Sequence, residues 1–189
     1  MFNHIYVFIL CVSICCAGCK KEDDPPATPT APASTVSIGD TLQGGIVFYV
    51  NGSNGLIAAP SNIDSILYWG CYGTEMANAY GSAVGTGNAN TMAIAAGCSD
   101  LNIAAKACAD LVLSGYDDWY LPSIDELELM NDNLYKAGLG GFDLNLGAQY
   151  WSSTQYNSNS AYNYDFSIDF VSGAGSKNWT FQVRPIRSF

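Results

Sequence analysis

The chain has 189 residues, a formal net charge of −10 and a sequence pI near 4.1. Its seven Lys and Arg residues form no basic stripe, which excludes nucleic acid and makes polyanionic glycans unfavourable partners. The single histidine, His4, lies in a segment expected to be removed, so the mature chain supports neither a Ser-His-Asp nor a Cys-His mechanism, nor a histidine-ligated zinc.

Residues 5–17 are an unbroken run of apolar and small residues. The run is shorter than the roughly 20 residues a spanning helix needs and has the size of a signal-peptide core. It closes on Cys16-Ala17-Gly18-Cys19, which resembles the lipobox of bacterial lipoproteins. That resemblance implies cleavage before Cys19 and a diacylglycerol on its sulfur. Cys16 stands where the pattern usually has leucine, and no Lys or Arg precedes the run. The expectation is a signal peptide at 1–18 and lipidation at Cys19; the alternative is an ordinary secretory signal. Residues 19–36 read as a flexible linker. Lys20-Lys21-Glu22-Asp23-Asp24 is similar to a surface-export signal of some Gram-negative lipoproteins, and its plainer reading is a solvated spacer. Residues 25–35 are rich in Pro, Ala and Thr and favour an extended stalk. The protein is thus expected to be exported, lipid-anchored to the outer membrane and displayed at the cell surface of a Gram-negative bacterium.

Residues 37–189 form one domain's length, with five basic and fourteen acidic residues and a charge of −9. Gly44-Gly45 precedes the run 46–50, a glycine- and asparagine-rich turn covers 51–55, and a second apolar run covers 56–59, which predicts a hairpin. Leu67-Tyr68-Trp69 predicts a short strand, and 77–91 an irregular excursion. Over 103–113, Ile103, Ala107 and Leu111 share one helical line and Ala104, Cys108 and Val112 the next. Ser123 and Glu126 form a capping box for a second helix, with Leu127, Met130 and Leu134 inward, running to about Lys136. Strands are predicted at 150–153, 161–170 and 179–186, with a turn at 173–177. Tyr162, Tyr164, Phe166, Ile168 and Phe170 alternate with polar residues in a period of two. The order predicts an α+β fold with a mainly antiparallel sheet and two main helices.

Three cysteines follow the linker. Cys71 and Cys98 sit beside glycines in loop-like sequence, and Cys108 lies on a helix face. A disulfide between Cys71 and Cys98 is expected in an exported chain, the alternative being three buried thiols.

Six motifs occur in one order: Gly44-Gly45-Ile46-Val47-Phe48; Tyr68-Trp69-Gly70; Gly85-Thr86-Gly87-Asn88; Asp118-Trp119-Tyr120-Leu121-Pro122-Ser123 with Glu126-Leu127; Trp151-Ser152-Ser153-Thr154; and Val183-Arg184-Pro185-Ile186-Arg187. Together they resemble the Lcl C-terminal domain family, long a domain of unknown function, over 41–189. The resemblance implies a C-type-lectin-like α+β fold whose N- and C-terminal strands lie close together. The family is also similar in pattern to formylglycine-generating enzymes. Their oxidase uses cysteines near the C-terminal end, and here no cysteine follows Cys108, so that activity is not implied. The namesake of the family, a collagen-like adhesin, binds sulfated polysaccharides. A head at −9 opposes such ligands.

Candidate ligand-binding residues are Trp151, Gln155, Tyr156, Asn157, Asn159 and Tyr162, in a stretch rich in Tyr, Ser and Asn. Tyrosine gives large amphipathic contact area at small entropic cost, and such loops carry function. For Trp151 and Tyr162 the competing reading is a core strand. Asp117 and Asp118 raise calcium as a possibility, but the six or more oxygens calcium requires are not identifiable, so no cofactor or metal is expected. Asp125/Glu126 and Asp165/Asp169 are carboxylate pairs of the kind used in glycoside hydrolysis. Asp125 and Glu126 already have a task in the first turn of a helix. The leading expectation is a non-enzymatic module that recognises an extracellular glycan or surface protein. The alternatives are a carboxylate-dependent polysaccharide enzyme and a structural surface protein without a small ligand.

Overall fold

A computed structural model describes residues 36–142, 144 and 147–189. The expected signal peptide, Cys19 and the stalk through residue 35 lie outside these residues. The first apolar run forms β2 (Gly45–Asn51), preceded by β1 (Thr41–Leu42) and followed by β3 (Asn54–Ala58). β2 and β3 pair antiparallel, with Val47 opposite Ile57 and Asn51 opposite Asn54. Gly52 turns the hairpin at φ +65°, a conformation that glycine adopts without strain. Val47 and Phe48 are neighbours on opposite faces, and both are fully buried because β2 has core on either side. β9 (Ile186–Ser188) adds to β3, placing Arg187 opposite Ile57 and giving the order β1-β2-β3-β9. The C-terminal strand therefore pairs with the N-terminal hairpin in one sheet, with β1 and β9 at its two edges.

The middle of the chain holds three short helices among the described residues, not two. The irregular excursion over 77–91 ends early, because α1 (Gly87–Gly97) begins inside it. The inward positions of α1, Gly87, Asn90, Thr91 and Ile94, keep helical spacing, but only Ile94 is a large apolar residue. α2 (Ala104–Ala109) is shorter than the predicted 103–113. Past Asp110 the chain makes a tight bridge between Leu113 and Tyr116, with Ser114 and Gly115 both at positive φ, and Val112 is exposed. α3 (Ile124–Met130) starts at the predicted capping box and continues as a π-helix, Asn131–Tyr135. Leu127, Met130 and Leu134 are fully buried, as their spacing predicts.

β5 (Gln149–Gln155), β6 (Ser160–Asp165) and β7 (Phe170–Ser176) form an antiparallel sheet in sequence order. The single strand predicted over 161–170 is broken. The Asp165 carboxylate accepts the Ser167 N–H at 3.0 Å and its hydroxyl at 2.6 Å, and Asp169 turns at φ +56°. Ile168 and Phe170 are consequently exposed. The turn predicted at 173–177 is instead mostly strand β7. The predicted strand 179–186 is two elements: β8 (Thr180–Phe181), which pairs with β4 (Leu67–Tyr68), and then β9. The architecture is mixed α+β with antiparallel sheets. One core cluster lies between α1, α2 and β5 around Trp69, Ile94, Leu121 and Trp151. A second packs α3 on the hairpin and β6 around Phe48, Leu127, Tyr150 and Phe166.

Candidate functional site

Four of the six motifs are joined by one hydrogen-bond network that includes a buried carboxylate. Glu126 is fully buried, and its Oε2 accepts the Ser123 N–H at 2.7 Å while Oε1 accepts the Gly85 N–H at 2.8 Å. Burial pushes its carboxyl above the usual range, and those two donors pull it back. Thr91 Oγ1 donates to Gly87 O at 2.7 Å and accepts the Leu121 N–H at 3.0 Å. Thr154 Oγ1 accepts the Ile124 N–H at 3.1 Å and donates to Gly81 O at 2.8 Å. Asn90 pairs both ends of its amide with the Gly81 backbone, and Ser153 N–H donates to Pro122 O at 2.7 Å. Trp69 Nε1 donates to Ser152 O at 2.9 Å. Each of these polar groups has an internal partner, so the motifs build a scaffold that ties α1, α3 and β5 together.

The final motif is structural too. Arg184 is fully buried, donates to Ala59 O, Gly140 O and the Asn62 side chain, and stacks on Phe142 at 4.2 Å. Arg187 forks onto Asp118 at 2.6 and 2.8 Å, reaches Gln43 and lies 4.0 Å over Tyr116. Both Asp118 oxygens are thereby engaged by a cation, which removes them from any calcium shell. Trp119 packs fully buried against Val47 and Ile57.

The six predicted ligand-binding residues divide. Trp151 and Gln155 are corrections: both are buried, within a strand covered from Tyr150 to Gln155. Trp151 Nε1 donates to Leu67 O at 2.8 Å and its ring lies 4.4 Å from Phe181. Gln155 Oε1 accepts the Met76 N–H at 2.8 Å and Lys177 Nζ at 2.6 Å. Neither reaches the surface. Tyr156, Asn157 and Asn159 are exposed or half-exposed, and Tyr162 is half-buried. The Tyr156 and Tyr162 rings meet edge to face at 5.4 Å above Gly173, where a Cβ would lie 3.0 Å from the Tyr162 ring. Asn157 Oδ1 accepts the N–H groups of Asn159 and Ser160 at 2.8 and 2.9 Å, which fixes the β5–β6 turn.

A cleft of about 320 Å³ lies beside this turn. Tyr68, Tyr72, Asp100, Asn102, Lys177 and Asn178 are among its lining residues. Two backbone bonds join it to the turn: Gly73 N–H to Ser158 O at 3.0 Å, and Lys177 N–H to Asn159 O at 2.9 Å. The sequence does not reveal the cleft, because its walls come from distant segments. The expected disulfide between Cys71 and Cys98 brings them together. Cys71 N–H donates to Asp100 Oδ2 at 2.7 Å, and Lys106 Nζ caps the carbonyls of Cys98 and Asp100 at 2.6 and 2.7 Å. Gly70, at φ +104°, faces Ile103 where a Cβ would meet Cγ2 at 2.6 Å. Lys177 is fully buried, donates to Thr74 O at 2.8 Å and to Gln155, and lies 4.4 Å over Trp69. Burial lowers its amine to about 8.

Several other titratable groups have structural explanations. Ligand atoms of Cys71, Cys98 and Asp100 lie within 4.8 Å of one another, but both sulfurs belong to the disulfide, so no metal site results. Cys108 is free and fully buried, which pushes its thiol far up. Asp169 accepts from Lys136, Tyr164 and Asn131 at 2.7–2.8 Å, and Lys136 holds its carboxyl low. With Asp165 capping its own turn, neither carboxylate pair is left free as an acid–base pair.

A model of the Lcl C-terminal domain matches residues 64–187. No curated protein matches the chain. Among solved structures it is similar to a fimbrial protein from Bacteroides ovatus ATCC 8483, at 17% identity and a TM-score of 0.48. That likeness covers 70% of this chain and 35% of the fimbrial protein.

Proposed function

This chain belongs to the Lcl C-terminal domain family, and on that premise we propose that it is a surface-displayed, lipid-anchored binding protein. Its head is a non-enzymatic module with a C-type-lectin-like fold, and it recognises an extracellular glycan or surface protein. The observation that carries this reading is a division of labour. The buried polar network around Glu126 is engaged internally, whereas Tyr156, Asn157 and Asn159 are exposed, with Tyr162 packed against Tyr156, on a turn that two backbone bonds hold beside an open cleft. Exposed tyrosine and asparagine on a turn fixed at both ends suit recognition, because little freedom is lost on binding. The pairing of β9 with β3, which joins the C-terminal strand to the N-terminal hairpin in one sheet, supports the lectin-like reading. The anchor at Cys19 and the acidic and Pro-rich linker supply display at the outer membrane surface.

The test is an array of immobilised glycans and extracellular proteins probed with the full chain, with and without calcium. Selective capture by a subset of uncharged glycans or proteins is expected, independent of calcium. Absence of capture on every spot would refute the binding reading. Mass spectrometry of the N-terminal peptide checks the anchor: a diacylglyceryl group on Cys19 is expected, and an unmodified Cys19 thiol in the mature protein contradicts it.

A further inference from the structure

We propose that the cleft beside the β5–β6 turn binds one uncharged pyranose, its ring face against a tyrosine wall and its hydroxyls on Asp100, Asn102 and Asn178. The proposal rests on the reading of the head as a binding module and adds the ligand class and its seat. Tyr68 and Tyr72 line the cleft and are 51% and 55% exposed, so each offers ring surface that the fold leaves open. A tyrosine face and the C–H face of a sugar ring bury apolar area against each other, and the hydroxyls at the rim need polar partners. Asp100, Asn102 and Asn178 are all exposed in the same lining. Asp100 uses Oδ2 on the Cys71 N–H, and Asn178 Oδ1 accepts the Ser176 hydroxyl at 2.7 Å. Asp100 Oδ1, the Asn178 amide N–H groups and the whole Asn102 side chain have no partner among the described residues, so acceptors and donors are both available at the cleft. This mixture suits vicinal hydroxyls, each of which both donates and accepts.

Charge narrows the class. Lys177 is the only cation in the lining, and it is buried and held by Thr74 O, Gln155 and the Trp69 face. What remains towards solvent is the Asp100 carboxylate on a head of −9, so uronates and sulfated sugars are repelled. Size narrows it further. At about 320 Å³ the cleft stands at the small end of the roughly 300–1,000 Å³ of ligand sites, room for one ring rather than a buried chain. The rest of a glycan would leave past Asn159 and Tyr156, on the turn that the two backbone bonds hold beside the cleft. The disulfide and the Lys106 caps hold these walls before ligand arrives.

The experiment is saturation-transfer NMR on the full chain with methyl glycosides of glucose, galactose, mannose and N-acetylglucosamine, and methyl glucuronide as the charged control. At least one neutral glycoside is expected to receive saturation, and the glucuronide is not. Tyr72→Ala and Asn178→Ala should each weaken that binding about tenfold, with the unfolding midpoint unchanged because both side chains are exposed. Asp100→Asn should admit the glucuronide. If the chain captures array glycans but the glycosides bind equally to wild type and both variants, the sugar sits elsewhere and the cleft assignment falls while the binding reading stands. The cleft assignment falls in the same way if only the glucuronide binds, or if none of the glycosides does. If nothing is captured on the array either, both fall.

Discussion

Gly87 has no room for a side chain. A Cβ there would stand 2.3 Å from Glu126 Oε2 and 3.0 Å from Leu121 O, inside the knot that holds α1 to α3. Gly87→Ala should therefore cost about 1–3 kcal/mol, the scale of an overpacked core, read from urea unfolding. The ion pair behind Trp119 makes a different prediction. Hydrogen bonding to Arg187 holds the Asp118 carboxyl below its usual value. A lowered carboxylate stabilises the fold above its unfolded pKa of about 3.9, and the benefit is lost as pH falls through the folded value. The Asp118 side chain is 51% exposed, so solvent screens the pair. Asp118→Asn should cost about 1 kcal/mol at pH 7, and its deficit should close as pH falls below about 3.9. A deficit that stays constant down to pH 2 would deny the charge its role. At this scale the sequence is legible where an interaction is local, as in the capping box of Ser123 and Glu126. It misleads at Trp151 and Gln155, where aromatic and amide chemistry suggests a surface and the strand packs both inward. Gln155 is turned in by Lys177, a partner 22 residues away that no local pattern marks.

The elements show the same limit for a physical reason. The hairpin, the capping box and the antiparallel strands are readable because their inward residues are apolar at a regular period. α1 is not, because Gly87, Asn90 and Thr91 face a polar network, so helical spacing exists without hydrophobic contrast. The β6–β7 turn escapes the pattern because Phe166, Ile168 and Phe170 continue the alternation while the Asp165 carboxylate turns the backbone. The Cys71–Cys98 link spans 27 residues and carries α1 between its ends. Replacing both cysteines with serine should lower stability by about 2–4 kcal/mol in urea unfolding. It should also loosen the cleft, since Gly70, Cys71 and Asp100 all line it. Cys108, buried in α2 with its thiol pushed up, should resist iodoacetamide in the native protein and react once unfolded, as peptide mass mapping would record. Alkylation of native Cys108 would mean that α2 opens readily.

For the whole molecule, element order predicts the α+β class, and the six motifs in sequence predict the family. They do not predict where recognition lies. Most residues of the motifs hold the fold together; only Tyr68 and Gly70 of one motif reach the cleft, whose walls at 68–72, 100–103 and 177–178 only the folded chain unites. The central claim is that recognition lies at the exposed cleft and turn, away from the buried polar network that holds the head together. The direct test is glycan-array binding by the full-chain double variant Tyr72→Ala/Tyr156→Ala, with its thermal midpoint recorded alongside. The account predicts a wild-type midpoint and capture reduced at least about tenfold. Capture at the wild-type level by that folded variant would contradict it.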